Sequence, residues 1–286
     1  MRYIISGLLI VGLAAGFYSL TKSQSTPEPL SPEAGCIEED VIMEPLHLLV
    51  FSKTAGYRHE SISAGIEALE KLAEDREWTV TASEDSTVFN DETLADIDVV
   101  IFLNTTGDIL DEEQKAAFEQ FIQAGGGYVG IHSATDTEYG WAWYGELVGA
   151  YFADHPAIST ATLILEDSTH PSAKTLPETW EHRDEWYNFH SNPRENVNVI
   201  LSVDESTYEG GTMGGDHPIS WAHEFDGGRA FYTALGHTSE SFSEALFLEH
   251  LIGGIEWAGG RCDAPVDAEA TDEADGAAPT ATVHPQ

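Results

Sequence analysis

The chain has 286 residues, 42% of them hydrophobic, and 50 acidic against 12 basic side chains give a formal net charge of −38. This suits one globular domain of roughly 200 residues or more with polar ends. A chain so poor in Lys and Arg excludes nucleic-acid binding, which needs clustered cations against phosphates, and disfavours anionic membranes and polyanionic substrates.

Arg2 precedes an apolar run over 3–20 that is broken only by Ser6, Ser19 and small residues. A short positive region followed by an apolar stretch is a targeting signal. The run is long for a signal peptide and marginal for a spanning helix, which needs roughly 20 residues. Residues 1–20 are therefore read as a signal peptide or an N-terminal membrane anchor, and any membrane attachment goes through them only. With Arg2 inside, the rest of the chain lies outside the cytoplasm, periplasmic or secreted. Residues 21–44 read as a linker, Pro-, Ser-, Thr- and Glu-rich up to Gly35. At the other end, 261–286 form an acidic tail that carries Asp263, Asp267, Glu269, Asp272, Glu273 and Asp275, with no Lys or Arg after Arg261. It cannot bury a core and is expected to be disordered. Cys36 and Cys262 flank the intervening domain. In an oxidising compartment a disulfide between them is expected, worth up to ~5 kcal/mol through loop closure; two unrelated thiols remain the alternative.

Within 45–260, strand and helix patterns alternate. His47-Leu48-Leu49-Val50-Phe51-Ser52 is a short apolar run of the kind buried on both faces of a parallel sheet. Ile62, Ile66, Leu69 and Leu72 then recur at helical spacing. Strands are predicted over 78–82 and 98–103. Asp111, with Gln114 three residues on, predicts a capping box. Ala117, Phe118, Phe121 and Ile122 give that helix its apolar face, and Gly125-Gly126-Gly127 end it. Tyr128-Val129-Gly130-Ile131-His132 is the next strand. This order predicts a doubly wound α/β sheet. The second half adds strands over 162–165, 197–203, 219–225 and 228–235 and a closing helix over 242–257. Asp226-Gly227 between two of these strands predicts a hairpin, and hence antiparallel strands added to a mostly parallel sheet.

Ligands of open α/β sheets bind beyond the carboxyl ends of the strands. Three such ends carry polar sequences: Lys53-Thr54-Ala55-Gly56-Tyr57-Arg58-His59, Asn104-Thr105-Thr106-Gly107-Asp108 and His132-Ser133-Ala134-Thr135-Asp136-Thr137. There are twelve histidines, several beside acids or in turns: Asp154-His155-Pro156, Asp216-His217-Pro218 and Gly236-His237-Thr238. Asp184-Glu185-Trp186-Tyr187 sets acids beside aromatics. Imidazole and carboxylate together suit zinc or manganese, and equally suit acid–base work near neutral pH. With no tight spacing such as HExxH, a metal site would be assembled from distant segments. His47, His223 and His250 fall on strand or helix faces and read as structural. Trp141, Trp143, Tyr144, Trp186, Tyr187 and Trp221 can stack on sugar rings or simply fill the core.

The segments Val50-Phe51-Ser52-Lys53-Thr54-Ala55-Gly56-Tyr57-Arg58-His59, Asn104-Thr105-Thr106-Gly107-Asp108 and Gly125-Gly126-Gly127-Tyr128-Val129-Gly130-Ile131-His132 resemble, in order, motifs of ThuA-like proteins. So do Asp184-Glu185-Trp186-Tyr187, Gly214-Gly215-Asp216-His217-Pro218 and Gly236-His237-Thr238. The resemblance covers 47–258. It implies a flavodoxin-like fold related to class I glutamine amidotransferases and a link to trehalose and related disaccharides. Where that superfamily carries its nucleophilic Cys, this chain reads Gly130-Ile131-His132-Ser133-Ala134. A thiolate glutaminase is excluded, and Ser133 is left as a conceivable nucleophile.

The sequence thus points to an exported protein of carbohydrate metabolism with a small sugar ligand, a hydrolase or lyase on a glycoside or keto-disaccharide. His132, His59, His237 and Glu185 are the candidate catalytic residues. His132, His155 and His237 are the candidate ligands of a divalent metal. Tyr57, Arg58, Thr106, Asp108, Asp136, Trp143, Tyr144, Tyr187 and His217 are the candidate substrate contacts. The alternative is a non-catalytic carbohydrate-binding or cell-surface module.

Overall fold

The computed structural model describes residues 45–260. The targeting segment, the linker, Cys36 and Cys262, and the acidic tail lie outside them. Among the described residues no helix is long and apolar enough to cross a membrane.

The first half is built as its pattern requires. Strands β1 (His47–Phe51), β2 (Thr79–Ser83), β3 (Val99–Leu103) and β4 (Gly127–Ile131) alternate with helices α1 (Ile62–Asp75), α2 (Asp91–Leu94) and α3 (Glu112–Gln123). Strands β3 and β4 are buried along their whole length, because helices cover both sheet faces. Helix α3 starts at the expected capping box: Asp111 accepts the Glu113 and Gln114 amides, and Gln114 accepts the Asp111 amide at 3.0 Å.

The second half comprises α4 (Ala142–Val148), β5 (Phe152–Asp154), β6 (Ser159–Leu165), β7 (Thr179–Asp184), β8 (Asn188–Phe189), β9 (Asn198–Asp204), β10 (Pro218–Phe225), β11 (Gly228–Thr233) and α5 (Ala245–Ala258). One nine-stranded sheet has the order β2-β1-β3-β4-β11-β10-β9-β6-β7, and β5 and β8 form a small second ladder. Strands β2 through β11 in that order run parallel. From β11 onward every pairing is antiparallel. Asp226 and Gly227 make the predicted hairpin turn, both at positive φ. Strand β11 is the pivot, with one parallel and one antiparallel neighbour.

Helices α1 and α5 cover one face, and α2, α3 and α4 the other. Phe102 stacks on Phe118 of α3 at 5.4 Å and lies 5.7 Å from Tyr144 of α4. These rings form the centre of the core on that face.

Candidate metal centre

Two loops after parallel strands interlock at the carboxyl edge and bring the third with them. The Ala55 amide donates to the Thr106 carbonyl at 2.7 Å, and the Gly107 amide to the Asp136 carbonyl at 2.8 Å. The three polar strand ends singled out in the sequence therefore share one edge. Thr106 locks this arrangement, its hydroxyl donating to the Tyr57 carbonyl at 2.8 Å.

His132 follows directly on β4, has φ of 52° and is fully buried. That left-handed conformation is unfavourable for a side-chain-bearing residue and needs support from its surroundings. Two hydrogen bonds provide it. His132 Nδ1–H donates to the Ala234 carbonyl at 2.8 Å, and the Tyr232 hydroxyl donates to the His132 carbonyl at 2.8 Å. Because a carbonyl only accepts, Nδ1 carries the hydrogen, and in the neutral ring the Nε2 lone pair is free.

That lone pair faces a cluster of donors. One side-chain atom each from His59, His132, Glu185 and His237 lies within 4.8 Å of the other three. His132 Nε2 is 3.1 Å from His237 Nδ1 and 3.5 Å from Glu185 Oε2, and His237 Nδ1 is 3.0 Å from the same oxygen. Ligands bonded at 2.0–2.1 Å around a tetrahedral zinc stand about 3.3 Å apart. Three of the four donors already have that spacing, and His59 completes the set. This cluster can hold a metal ion. Anchoring His132 through its other ring nitrogen is the usual device for aiming a ligating imidazole.

The electrostatics match. Burial, reinforced by the neighbouring His132 and His237, pushes His59 down to about 3, so it stays neutral with a lone pair to offer. Burial raises Glu185, but hydrogen bonds and charges from His132 and His237 prevail and bring it down to about 2. Burial opposes charge on His237, yet the Glu185 hydrogen bond and the Glu185 and Asp184 charges raise it.

A buried carboxylate behind the cluster fixes the last donor. Asp184 accepts the amides of Gly236 at 2.8 Å, His237 at 3.1 Å and Glu185 at 2.9 Å. His182 stands between two carboxylates, 3.2 Å from Asp184 and 3.0 Å from Glu244. Burial works against its charge, but Asp184 and then Glu244 raise it, so both ring nitrogens donate. Gly236 is required here: its φ is 109°, and a Cβ would sit 3.0 Å from Ile131 Cγ2. Its carbonyl accepts from both Ser61 and Asn104 at 3.1 Å.

The sequence candidates divide clearly by position. His59, His132, His237 and Glu185 come together. His155 stands beside them rather than among them, with Nδ1 2.8 Å from the other Glu185 oxygen and a side chain 43% exposed. The Tyr187 ring packs 4.2 Å from His132, and exposed Tyr57 meets His59 edge-on at 4.8 Å. His217 supports Tyr187 from behind by donating Nε2–H to its carbonyl at 2.8 Å. Asp136 is half-buried, and its carboxylate meets the Tyr139 hydroxyl at 2.7 Å. Arg58 turns aside to pair with Glu84 at 2.6 Å. Asp108 is exposed on the loop after β3. Ser133 is fully buried, 3.4 Å from His59 Nδ1.

Trp143 and Tyr144 are not brought to the cluster. Helix α4 leads away from the carboxyl edge. Trp143 bonds Asp226 at 2.9 Å in the hairpin turn at the opposite edge, and Tyr144 is wholly buried, donating to the Ala134 carbonyl at 2.7 Å. Sequence reading missed His182 and the placement of Asp184. The signal was there in β7, where Trp180, His182 and Asp184 are buried and the residues between them exposed.

The family model described as ThuA, trehalose utilisation, matches residues 47–258. The chain belongs to the ThuA family. That description ties this ThuA-family chain to carbohydrate utilisation in general. Among solved structures, the fold is similar to a ThuA-like protein from Bacteroides uniformis, with 23% identity, a TM-score of 0.65 and coverage of 78% of this chain and 95% of that one. A ThuA-like protein from Parabacteroides merdae gives 21%, 0.65, 76% and 91%. A β-galactosidase from Bacillus circulans sp. alkalophilus shares the fold over 31% of its length and 76% of this chain, at 14% identity and a TM-score of 0.51. A comparison with curated protein sequences gives no match.

Proposed function

We propose that the protein is an extracytoplasmic enzyme that binds a divalent metal, zinc or manganese, through His59, His132, Glu185 and His237 and breaks a bond in a glycoside or keto-disaccharide. One observation carries this reading: four donors from four separate segments converge within 4.8 Å, three of them buried. Such a cluster costs stability without a ligand, since neutral imidazole and a desolvated carboxylate are each better off in water. A bound metal supplies Lewis acidity toward a sugar oxygen or a carbonyl. His155 and Tyr187 frame the opening, and Tyr57 offers an exposed ring on which a sugar face can stack. The apolar run over 3–20 supports a place outside the cytoplasm.

The experiment is elemental analysis of the protein purified without a His tag and loaded with zinc or manganese. It is followed by an NMR time course with trehalose and a 3-keto-disaccharide. One metal per chain, lost in His132→Ala, and a cleaved or eliminated sugar are expected. A folded protein that takes up no metal removes the metal reading. Sugar-induced stabilisation with no product makes it a binding module.

A further inference from the structure

Among the described residues, the tyrosine hydroxyls of the interior are accounted for with one exception. Tyr128 and Tyr144 meet each other at 2.8 Å, and Tyr144 also donates to the Ala134 carbonyl. Tyr232 donates to the His132 carbonyl at 2.8 Å, and Tyr151 to the Glu138 carbonyl at 2.9 Å. Tyr208 lies 3.2 Å from His217 Nδ1, and Tyr139 lies 2.7 Å from Asp136 Oδ1. Tyr187 is the exception. It is 3% exposed, yet no described residue meets its hydroxyl. A buried phenol ordinarily finds a partner, because leaving water without one is costly. Nor is this oxygen sealed in, as the unpartnered hydroxyls of Ser52, Ser159 and Thr233 are. What little of Tyr187 reaches solvent therefore includes its polar end.

That end belongs to the donor cluster. The Tyr187 ring packs 4.2 Å from the His132 ring on one side and 4.2 Å from Phe152 on the other. A phenol oxygen is less than a ring's width from the centre of its own ring, so this one lies within the span of a single sugar unit from the His132 imidazole. The backbone is fixed as well. Asp184 accepts the Glu185 amide at 2.9 Å, and His217 donates to the Tyr187 carbonyl at 2.8 Å. The hydroxyl is thus held in place before any ligand arrives. Arg58, next to His59 in the chain, is committed to Glu84 at 2.6 Å and is not offered to an acidic group.

We propose that Tyr187 is a ligand-contacting residue, whose hydroxyl donates a hydrogen bond to an uncharged oxygen, a hydroxyl or a carbonyl, of a sugar bound at the cluster. This deepens the sugar-transforming reading above and rests on it. The phenol has one hydrogen to give, and a site that places such a donor without a protein acceptor selects for a ligand that brings the acceptor.

The test uses the zinc-loaded full chain carrying tyrosine labelled with carbon-13 at Cζ, the carbon that bears the hydroxyl. The Tyr187 resonance is the one lost in Tyr187→Phe. It should move when trehalose or a 3-keto-disaccharide is added, and the variant should lose at least ~10-fold in kcat/KM. Urea stability and zinc affinity should be unchanged, because the removed hydroxyl touches no protein group. A sugar that binds or is converted while the resonance stays in place overturns the proposal. Wild-type kcat/KM in the variant also overturns it, since the hydroxyl then meets only water. A variant that loses stability gives the hydroxyl a structural partner and overturns it too. If sugar binds unconverted, the enzymatic reading falls and the resonance still decides the contact. A folded chain that binds neither zinc nor sugar overturns both.

Discussion

The two halves of the sheet hold the cluster in different ways. The parallel half, β2 through β11, buries apolar runs in β1, β3 and β4 and delivers His59, His132 and His237 from loops at its carboxyl edge. The antiparallel half, β10 through β7, contributes one donor, Glu185, just beyond the end of β7. It also brings Asp184 and His182, which grip the loop that bears His237. The parallel half is a platform that places imidazoles by topology. The antiparallel half is a clamp that works through buried charge. A site built this way depends on apolar packing on one side and on paired ions on the other, and the two respond to different perturbations.

Removing a donor should have the largest effect. His132→Ala or Glu185→Gln leaves three of the four proposed ligands, and zinc affinity should fall by at least ~100-fold, a loss of about 3 kcal/mol. Equilibrium dialysis against a chelator checks this, and retention of wild-type affinity would mean the four residues do not act as a set. Attacking the clamp comes next. Asp184→Ala leaves the His182 charge with Glu244 alone and frees three buried amides, so stability should drop by about 3 kcal/mol or more in a urea melt. A loss below about 1 kcal/mol would show that the amides are satisfied another way.

Acid tests the core behind α5. Burial pushes His250 down to about 4, against the Ser172 carbonyl that accepts its Nδ1–H. His170 is lowered to about 4 by burial and by His250. The unfolded chain protonates these rings near pH 6.5, whereas the folded chain refuses until about pH 4. Stability is therefore full above 6.5 and falls as pH drops to 4, by on the order of 3 kcal/mol for each ring. Urea melts across that window should show the loss, and its slope should become shallower when either ring is replaced by Asn. The smallest effect belongs to Trp143→Phe, which forfeits the Asp226 bond and part of the ring packing on Trp141 and Phe225. Less than ~1 kcal/mol of stability should go, with no change in metal or sugar binding. A weakened sugar response would draw the platform boundary wider than the structure does.

The platform was legible in the sequence and the clamp largely was not. Runs such as Val99-Val100-Ile101-Phe102-Leu103 can only be buried strands, Asp111 with Gln114 can only start a helix cheaply, and Asp226-Gly227 fits a tight hairpin. Strand β7 reads Thr-Trp-Glu-His-Arg-Asp, which on composition is a loop. Its alternation registers only once one face is known to be dry. Strands β5 and β8 are too short to carry any period. His132 and His237 were named, but their meeting across 105 positions follows from β4 and β11 lying side by side, which no local pattern encodes. Trp143 and Tyr144 were misplaced for the converse reason. They stand near the cluster in the chain, and α4 carries them to the far side of the sheet.

The pairing of β4 with β11 also sets an order of events. Residues 127–131 wait for 228–233 across roughly a hundred positions, the kind of distant closure that slows folding. A chain emerging from synthesis or from a translocation channel presents His59 and His132 long before Glu185 and His237 exist as neighbours. The complete donor set is thus confined to the finished molecule, and a product truncated before β11 would lack His237 and the strand beside β4.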